Sequence, residues 1–135
     1  LQLLRFVGNF LNCFERVLFI NSRQKRRAIY SMNYRNSDMI QPGIPYTIKS
    51  DNYIRIKQFS IFPENDQFNG DRITIMANVK TLTNDKREIE MNAALTSFIV
   101  GEDFDQQCDL VISPIDNCTL TVIGSQIPVQ IIYYM

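Results

Sequence analysis

The side chains best suited to covalent chemistry are few in this sequence, and their spacing forms no catalytic arrangement. Histidine is absent, which excludes Ser-His and Cys-His nucleophilic pairs and histidine-ligated metals. Cys13, Cys108 and Cys118 lie far apart and form no CxxC pair, so they predict neither a zinc site nor a disulfide framework. This cysteine usage favours a reducing compartment.

Two further patterns point away from catalysis. Glu102 and Asp103 are adjacent carboxylates, but they fall in a predicted loop, and no pocket is predicted that would position them for acid–base catalysis. Gly70 and Gly101 stand alone, so no phosphate-cradling loop is predicted. We therefore expect no enzyme, no cofactor and no bound metal in these residues.

The charge balance is neutral overall but unevenly distributed. The 135 residues contain 14 basic and 14 acidic side chains, which argues against a chain-wide nucleic-acid binder. Residues 1–31 hold six basic residues and one glutamate, whereas residues 32–135 hold eight basic and thirteen acidic ones. No apolar run approaches the ~20 residues of a membrane span, so no membrane association by a spanning helix is predicted.

Residues 1–31 form a basic segment whose apolar residues recur at helical spacing. Four interpretations are open: a targeting presequence, a helix for a membrane surface or partner groove, a nuclear localisation signal, or a solvated appendage outside the fold. The stripe comprises Leu3, Leu4, Val7, Phe10, Leu11, Phe14, Val17 and Leu18. The candidate localisation signal comprises Arg23, Lys25, Arg26 and Arg27.

In residues 32–135, short segments of alternating apolar and polar residues are separated by turn residues. This pattern predicts one all-β domain. We expect about eight strands and no helix between them, which favours an eight-stranded antiparallel sandwich of the jelly-roll type. A bulge is expected near Phe59, because the apolar residues around it change parity. The predicted strands are 46–49, 53–61, 72–80, 87–91, 95–100, 110–112, 118–123 and 128–135.

The predicted last strand is apolar on both faces. Val129, Ile131 and Tyr133 lie on one face, and Ile132 and Tyr134 lie on the other. A strand with only one face in its own core should carry a polar outer face, so the pattern indicates contact with another subunit. Burial within the same sandwich is the alternative.

Four segments of residues 32–135 resemble the nucleoplasmin-like domain found at the N-terminus of nuclear FK506-binding immunophilins. Residues 39–47 are similar to its opening "PGKxYT" segment, and residues 53–59 stand where it has the strand "LHISxA". Residues 104–110 resemble its "QQxxLDL" turn, and residues 119–131 resemble its "ITFSVxGxxxVHLxGY" ending. The sequence departs from the family at Gln130, where histidine is frequent, and in lacking the glycine before Tyr133.

The resemblance implies a homopentameric ring, with a decamer of two rings also known in the family, and a histone chaperone of the nucleus or nucleolus. It implies that core histones bind through acidic loops. A ring needs one face of each subunit to dock on a different face of the next, and the two-sided last strand supplies candidate residues for this contact: Val129, Ile131, Ile132, Tyr133 and Tyr134. The prolyl-isomerase domain that often follows this module would lie after residue 135. The acidic candidates are Glu64, Asp66, Asp71, Glu102, Asp103, Asp105 and Asp109.

Two other functions fit an isolated β-sandwich. Asn117-Cys118-Thr119 is a glycosylation sequon if the chain is secreted, which would suit a binding protein of lectin or cytokine type. A viral jelly-roll protein has the same strand pattern. A glycan at Asn117 would favour secretion, and a trimeric mass would favour the cytokine or capsid alternatives.

Overall fold

The computed structural model describes residues 34–135. The predicted segment 1–31, its helical stripe and the candidate localisation signal at Arg23, Lys25, Arg26 and Arg27 lie outside the described residues. The interpretations given for them stay predictions.

Residues 34–135 form eight antiparallel strands and no helix, as the alternating pattern predicts. The strands are β1 (Arg35–Ile40), β2 (Tyr46–Ile48), β3 (Ile54–Ile61), β4 (Arg72–Leu82), β5 (Glu88–Ile99), β6 (Asp105–Ile112), β7 (Asn117–Ile123) and β8 (Val129–Tyr134).

The strands make two four-stranded sheets with the connectivity of a jelly roll. One sheet has the order β1-β8-β3-β6, and the other has the order β2-β7-β4-β5. Only the β4–β5 hairpin stays within a sheet, and every other connection between described strands crosses to the opposite sheet. This crossing gathers the loops at the two ends of the sandwich.

The core lies between the sheets and is built from the alternating apolar residues. In β4, Ile73, Ile75, Ala77 and Val79 are buried while the side chains between them are at least partly exposed. Phe59 and Phe98 are the largest fully buried side chains. Because side chains alternate across a strand, each strand contributes one face to this core.

The sequence predicts eight strands, but they are not the same eight. The predicted strands 87–91 and 95–100 are one strand, β5, with a bulge where the register shifts between Ile75↔Thr96 and Met76↔Ala94. Before the bulge the buried residues are Ala93 and Leu95, at odd-numbered positions, and after it Phe98 is buried, at an even-numbered position. Because the alternation of buried residues changes at the bulge, the sequence resembles two short strands.

β1 is the strand that the alternation does not reveal. It is an edge strand whose side chains are mostly exposed, and Ile40 is its only buried residue. Backbone pairing with β8, from Arg35↔Tyr134 to Ile40↔Val129, defines it. The predicted bulge in β3 is present, but its register shift falls between Ile56 and Gln58, before Phe59.

Candidate functional site

Four loops meet at one end of the sandwich. The register places Ile40 opposite Val129, Ser60 opposite Asp105, and Arg72 opposite Ile99, so the loops joined to these residues are neighbours. We call the loops 41–45, 62–71, 100–104 and 124–128 the acidic end. The opposite loops, 49–53, 83–87 and 113–116, are called the balanced end.

The two ends differ sharply in charge. The loops of the acidic end contain no lysine or arginine, whereas those of the balanced end contain as many basic as acidic residues. The carboxylates of the acidic end are Glu64, Asp66, Asp71, Glu102 and Asp103. The charged residues of the balanced end are Lys49, Asp51, Asp85, Lys86, Arg87 and Asp116.

Two loops of the acidic end are fastened to each other by backbone hydrogen bonds. Gly70 N donates to Val100 O at 2.8 Å, and Val100 N donates to Asp71 O at 2.9 Å. Ile61 N donates to Phe104 O at 2.9 Å, so the pairing continues beyond the strands. These bonds hold the two loops side by side, so their carboxylates lie at the same end of the sandwich.

Three of the predicted acidic residues present their carboxylates to solvent. Glu64, Asp66 and Glu102 are exposed. Among residues 34–135, no hydrogen bond or ion pair engages these three carboxylates. They are therefore the side chains of the acidic end best placed to bind a cation from outside.

Asp71 and Asp103 are engaged within their own end of the sandwich. Asp103 Oδ2 accepts a hydrogen bond from Ile99 N at 2.8 Å, while Asp103 N donates to Ile99 O at 2.9 Å. Asp71 accepts a longer hydrogen bond from Ser125 Oγ at 3.3 Å. Asp103 shapes the β5–β6 turn, so its substitution would change the loop as well as the charge.

Asp105 and Asp109, two of the acidic candidates predicted for loops, belong to β6. Asp105 accepts hydrogen bonds from Ser60 Oγ at 2.7 Å and Gln58 Nε2 at 3.2 Å. Asp109 lies farther along the strand and forms a bidentate pair with Arg55, at 2.8 Å to Nε and 2.9 Å to Nη2. The hydrogen-bonded Arg55 guanidinium holds the pKa of Asp109 below its ordinary value, so its charge is already paired.

Five of the nine large apolar side chains that are exposed among residues 34–135 lie at or beside the acidic end, which the sequence does not predict; the other four lie near the balanced end. Phe62, Ile44, Phe104, Ile123 and Met39 are 41% to 64% exposed. A signal was present, because Ile44 and Phe62 each precede a proline and Phe104 follows two acids. This signal is only partial, because Ile127 also precedes a proline and yet is buried in the core.

A cleft of about 410 Å³ opens beside these residues. Its apolar walls are Met39, Phe62, Pro63, Phe68, Ile127 and Pro128. Glu64 also lines it, so a carboxylate stands at an apolar opening. This volume lies within the roughly 300–1,000 Å³ of typical ligand pockets.

The structure divides the five residues predicted for subunit contact. Val129 and Ile131 are fully buried in the core between the sheets, and Tyr133 packs against that core. Ile132 faces the other side, yet it is only 7% exposed in the single subunit. Tyr134 is partly exposed on that outer face. Val129 and Ile131 thus stabilise the subunit itself, and Tyr134 offers the accessible surface of this strand.

The cysteines among the described residues are not exposed. Cys118 is fully buried, and burial raises the pKa of its thiol to about 12, which suppresses the reactive thiolate. Residues 34–135 contain no cluster of three or more Cys, Asp or Glu side chains arranged to hold a metal. Asn117 of the sequon begins β7 and is exposed.

Within residues 34–135 there is also no helix long and apolar enough to cross a membrane.

The fold and the acidic end can now be set beside known proteins. No family model matches the sequence. No curated protein matches it either. Solved structures do match, and two of them have TM-scores above 0.5.

The first is Drosophila NLP-core, a structure described for pentamer formation and histone binding. It is 14% identical with a TM-score of 0.54, over 76% of this chain and 97% of that chain. The second is the nucleoplasmin-like N-terminal domain of Drosophila FKBP39, 13% identical with a TM-score of 0.55, over 78% of this chain and 90% of that chain. The fold is therefore nucleoplasmin-like, as the resemblance of the four segments predicts.

A weaker likeness is to VP2 of infectious bursal disease virus. The identity is 15% and the TM-score 0.36, over 76% of this chain and 30% of that chain. A likeness at that level says nothing about function.

Proposed function

We propose that this chain is a subunit of a nuclear histone chaperone that forms a homopentameric ring, with a decamer of two rings as the higher assembly. Core histones bind at the acidic end, which carries only negative charge in its four loops. The observation that carries this proposal is the contrast between the two ends of the sandwich. The similarity in fold to Drosophila NLP-core supports it, because that protein is described for pentamer formation and histone binding.

The three exposed carboxylates, Glu64, Asp66 and Glu102, make the first contact with the histone. Exposed charges on a rim contribute chiefly to the rate of association and to its salt dependence. In a ring, five copies of the acidic end would act on one basic partner, so individually weak contacts would add through avidity. No enzymatic step is part of this function.

Asp103 and Asp105 contribute less to binding than their charge suggests. Both are already used within the subunit, Asp103 by Ile99 and Asp105 by Ser60. A variant that neutralises them would disturb a turn and a strand together with the charge. The informative variant is therefore Glu64→Gln/Asp66→Asn/Glu102→Gln.

The test is binding of core histone dimers to the full chain, followed by fluorescence anisotropy at about 0.1 M salt and again at higher salt. We expect the triple variant to bind about fivefold to tenfold more weakly and with a shallower salt dependence. The matched control Asp51→Asn/Asp85→Asn/Glu88→Gln removes three charges from or beside the balanced end and should bind like the wild type. If both variants lose the same affinity for histones, binding is not specific to the acidic end and the proposal is contradicted.

The ring is tested separately by light scattering on the full chain. We expect a mass of five subunits, or ten for paired rings. A stable monomer at high concentration would overturn the ring. Histone binding by such a monomer would still be measurable, so the two parts of the proposal can fail independently.

A further inference from the structure

The acidic end combines a partly apolar cleft with carboxylates that no described residue engages. Six of the ten residues that line the cleft are apolar, and the others are Glu64, Asn65, Gln67 and Gln126. Phe62, Phe68 and Ile127 line the cleft, and Glu64 stands at its opening. A purely basic partner would leave the apolar walls in water, and a purely apolar one would leave the charges unmatched. The surface therefore fits a segment that is both apolar and basic.

Residues 1–31 of the same chain have this composition. Their apolar residues recur at the spacing of one helical face, and six basic residues accompany a single glutamate. The remaining residues carry the opposite excess, thirteen acidic against eight basic. The charge complementarity is thus contained within one chain.

The segment is long enough to reach the cleft. Tyr34 pairs with Met135 through both backbone groups, at 3.2 and 3.0 Å, at the balanced end of the sandwich. The acidic end lies one strand length away, about 20 Å for the six residues of β1. About six extended residues, 28–33, cover this distance, so residues 1–27, which include all six basic residues, remain available for docking.

The balanced end is a poor competitor for this segment. Tyr34, Leu82, Ile115 and Met135 are exposed at or near it, at 37% to 77%, but its loops carry equal numbers of positive and negative side chains. A segment with net positive charge gains no electrostatic attraction there.

We propose that residues 1–31 fold back on their own subunit and dock at the acidic end, with apolar side chains in the cleft and basic side chains against Glu64, Asp66 and Glu102. This docking does not rest on histone binding. It would, however, make the segment a competitor for any basic partner of the same surface, so a partner must displace it before binding.

The test places a nitroxide spin label on Cys13 of the full chain, with Cys108→Ser to leave one accessible thiol, and follows isoleucine methyl signals by NMR. We expect Ile127 and Ile44, at the acidic end, to lose most of their intensity and to recover it when the label is reduced. Ile115, at the balanced end, is the internal control and should keep its intensity. Equal loss at both ends, or no loss at either, overturns the proposal.

The variant Glu64→Gln/Asp66→Asn/Glu102→Gln should restore the Ile44 and Ile127 signals, whereas Asp51→Asn/Asp85→Asn/Glu88→Gln should not. If neither variant restores them, charge does not direct the docking and the proposal fails. Mixing spin-labelled chains with isotope-labelled, label-free chains identifies the source of the segment. Signal loss in the mixture would show docking on a neighbouring copy and overturn docking within one subunit.

Discussion

A carboxylate that supports its own turn and one that faces only solvent look alike in a sequence. The seven acidic candidates were predicted from charge and from resemblance, and the structure separates them by their contacts. The side chain of Asp103 accepts a hydrogen bond from Ile99 N, and Asp109 is paired with Arg55, whereas the carboxylates of Glu64 and Glu102 are exposed and form no hydrogen bond or ion pair with a described residue. Sequence alone could not make this distinction, because Arg55 and Asp109 are 54 residues apart.

The Arg55–Asp109 pair predicts a defined pH dependence of stability. The folded-state pKa of Asp109 is lowered, so its contribution is present above the unfolded pKa of about 4 and is lost as pH falls through the folded value. Both side chains are partly exposed and screened by solvent, so Asp109→Asn should cost only about 0.5–1 kcal/mol at neutral pH. Urea unfolding at a fixed protomer concentration measures this cost.

The control for this prediction is Glu88→Gln, which removes an exposed charge that is not paired with any described residue and should leave the unfolding free energy unchanged. The difference between wild type and Asp109→Asn should shrink at strongly acidic pH. A difference that stays constant down to that pH would show that packing, and not the ion pair, explains the loss.

At the scale of strands, the sequence predicts what alternation makes visible. β4 was predicted nearly as it stands, because its buried residues alternate without interruption from Ile73 to Val79. β5 was divided in two because a bulge changes its parity, and β1 was missed because only Ile40 of its side chains is buried. A strand that a bulge interrupts, or that only backbone pairing defines, shows no regular alternation of apolar and polar residues in the sequence.

The turn that leads into β8 depends on Gly124. Its φ is +105°, and a Cβ there would lie 2.0 Å from the carbonyl oxygen of Arg72. Because the obstructing atom belongs to the backbone, it cannot move aside as the end of a flexible side chain could. Gly124→Ala should therefore destabilise the subunit by about 2–4 kcal/mol. Thermal or urea unfolding of the purified variant provides the measurement.

Gly43→Ala is the matched control, because φ is also positive, at +72°, but no atom lies within 4 Å of the added Cβ. We expect it to cost only about 1–2 kcal/mol from the left-handed backbone. If the two substitutions cost the same, the close approach to Arg72 does not contribute.

At the scale of the molecule, the two-sheet architecture was predictable and the arrangement of the ends was not. The even spacing of strands and turns predicts a sandwich, and the four resembling segments predict the nucleoplasmin-like fold. Which loops share an end depends on how the chain crosses between the sheets. The neighbouring position of residues 62–71 and 100–104 depends on strand pairing instead: Arg72 of β4 pairs with Ile99 of β5, and the sequence predicts two strands in place of β5.

Assembly into a ring should depend on the outer face of β8 at Tyr134. Replacing a partly exposed tyrosine by aspartate places a charge in the proposed interface without removing a core residue, so Tyr134→Asp should lower the oligomeric state. Ile132→Asp is less informative, because Ile132 is already buried in the single subunit. Sedimentation velocity gives the mass, and circular dichroism should show unchanged β content.

Tyr34→Asp is the control for this prediction, since Tyr34 is 77% exposed at the balanced end. It should sediment like the wild type. If Tyr134→Asp also sediments like the wild type, this part of β8 lies outside the interface and the subunits must meet elsewhere.

The backbone pairing of Tyr34 with Met135 has a practical consequence for handling the molecule. A fluorescent protein or affinity tag fused directly after residue 135 would start on the side facing away from the carboxylate-rich loops. In a cyclic assembly all such fusions would leave from the same side, so the opposite side would stay open to ligands. A fluorescent protein joined by a short linker at that position should therefore report on ligand binding without obstructing it.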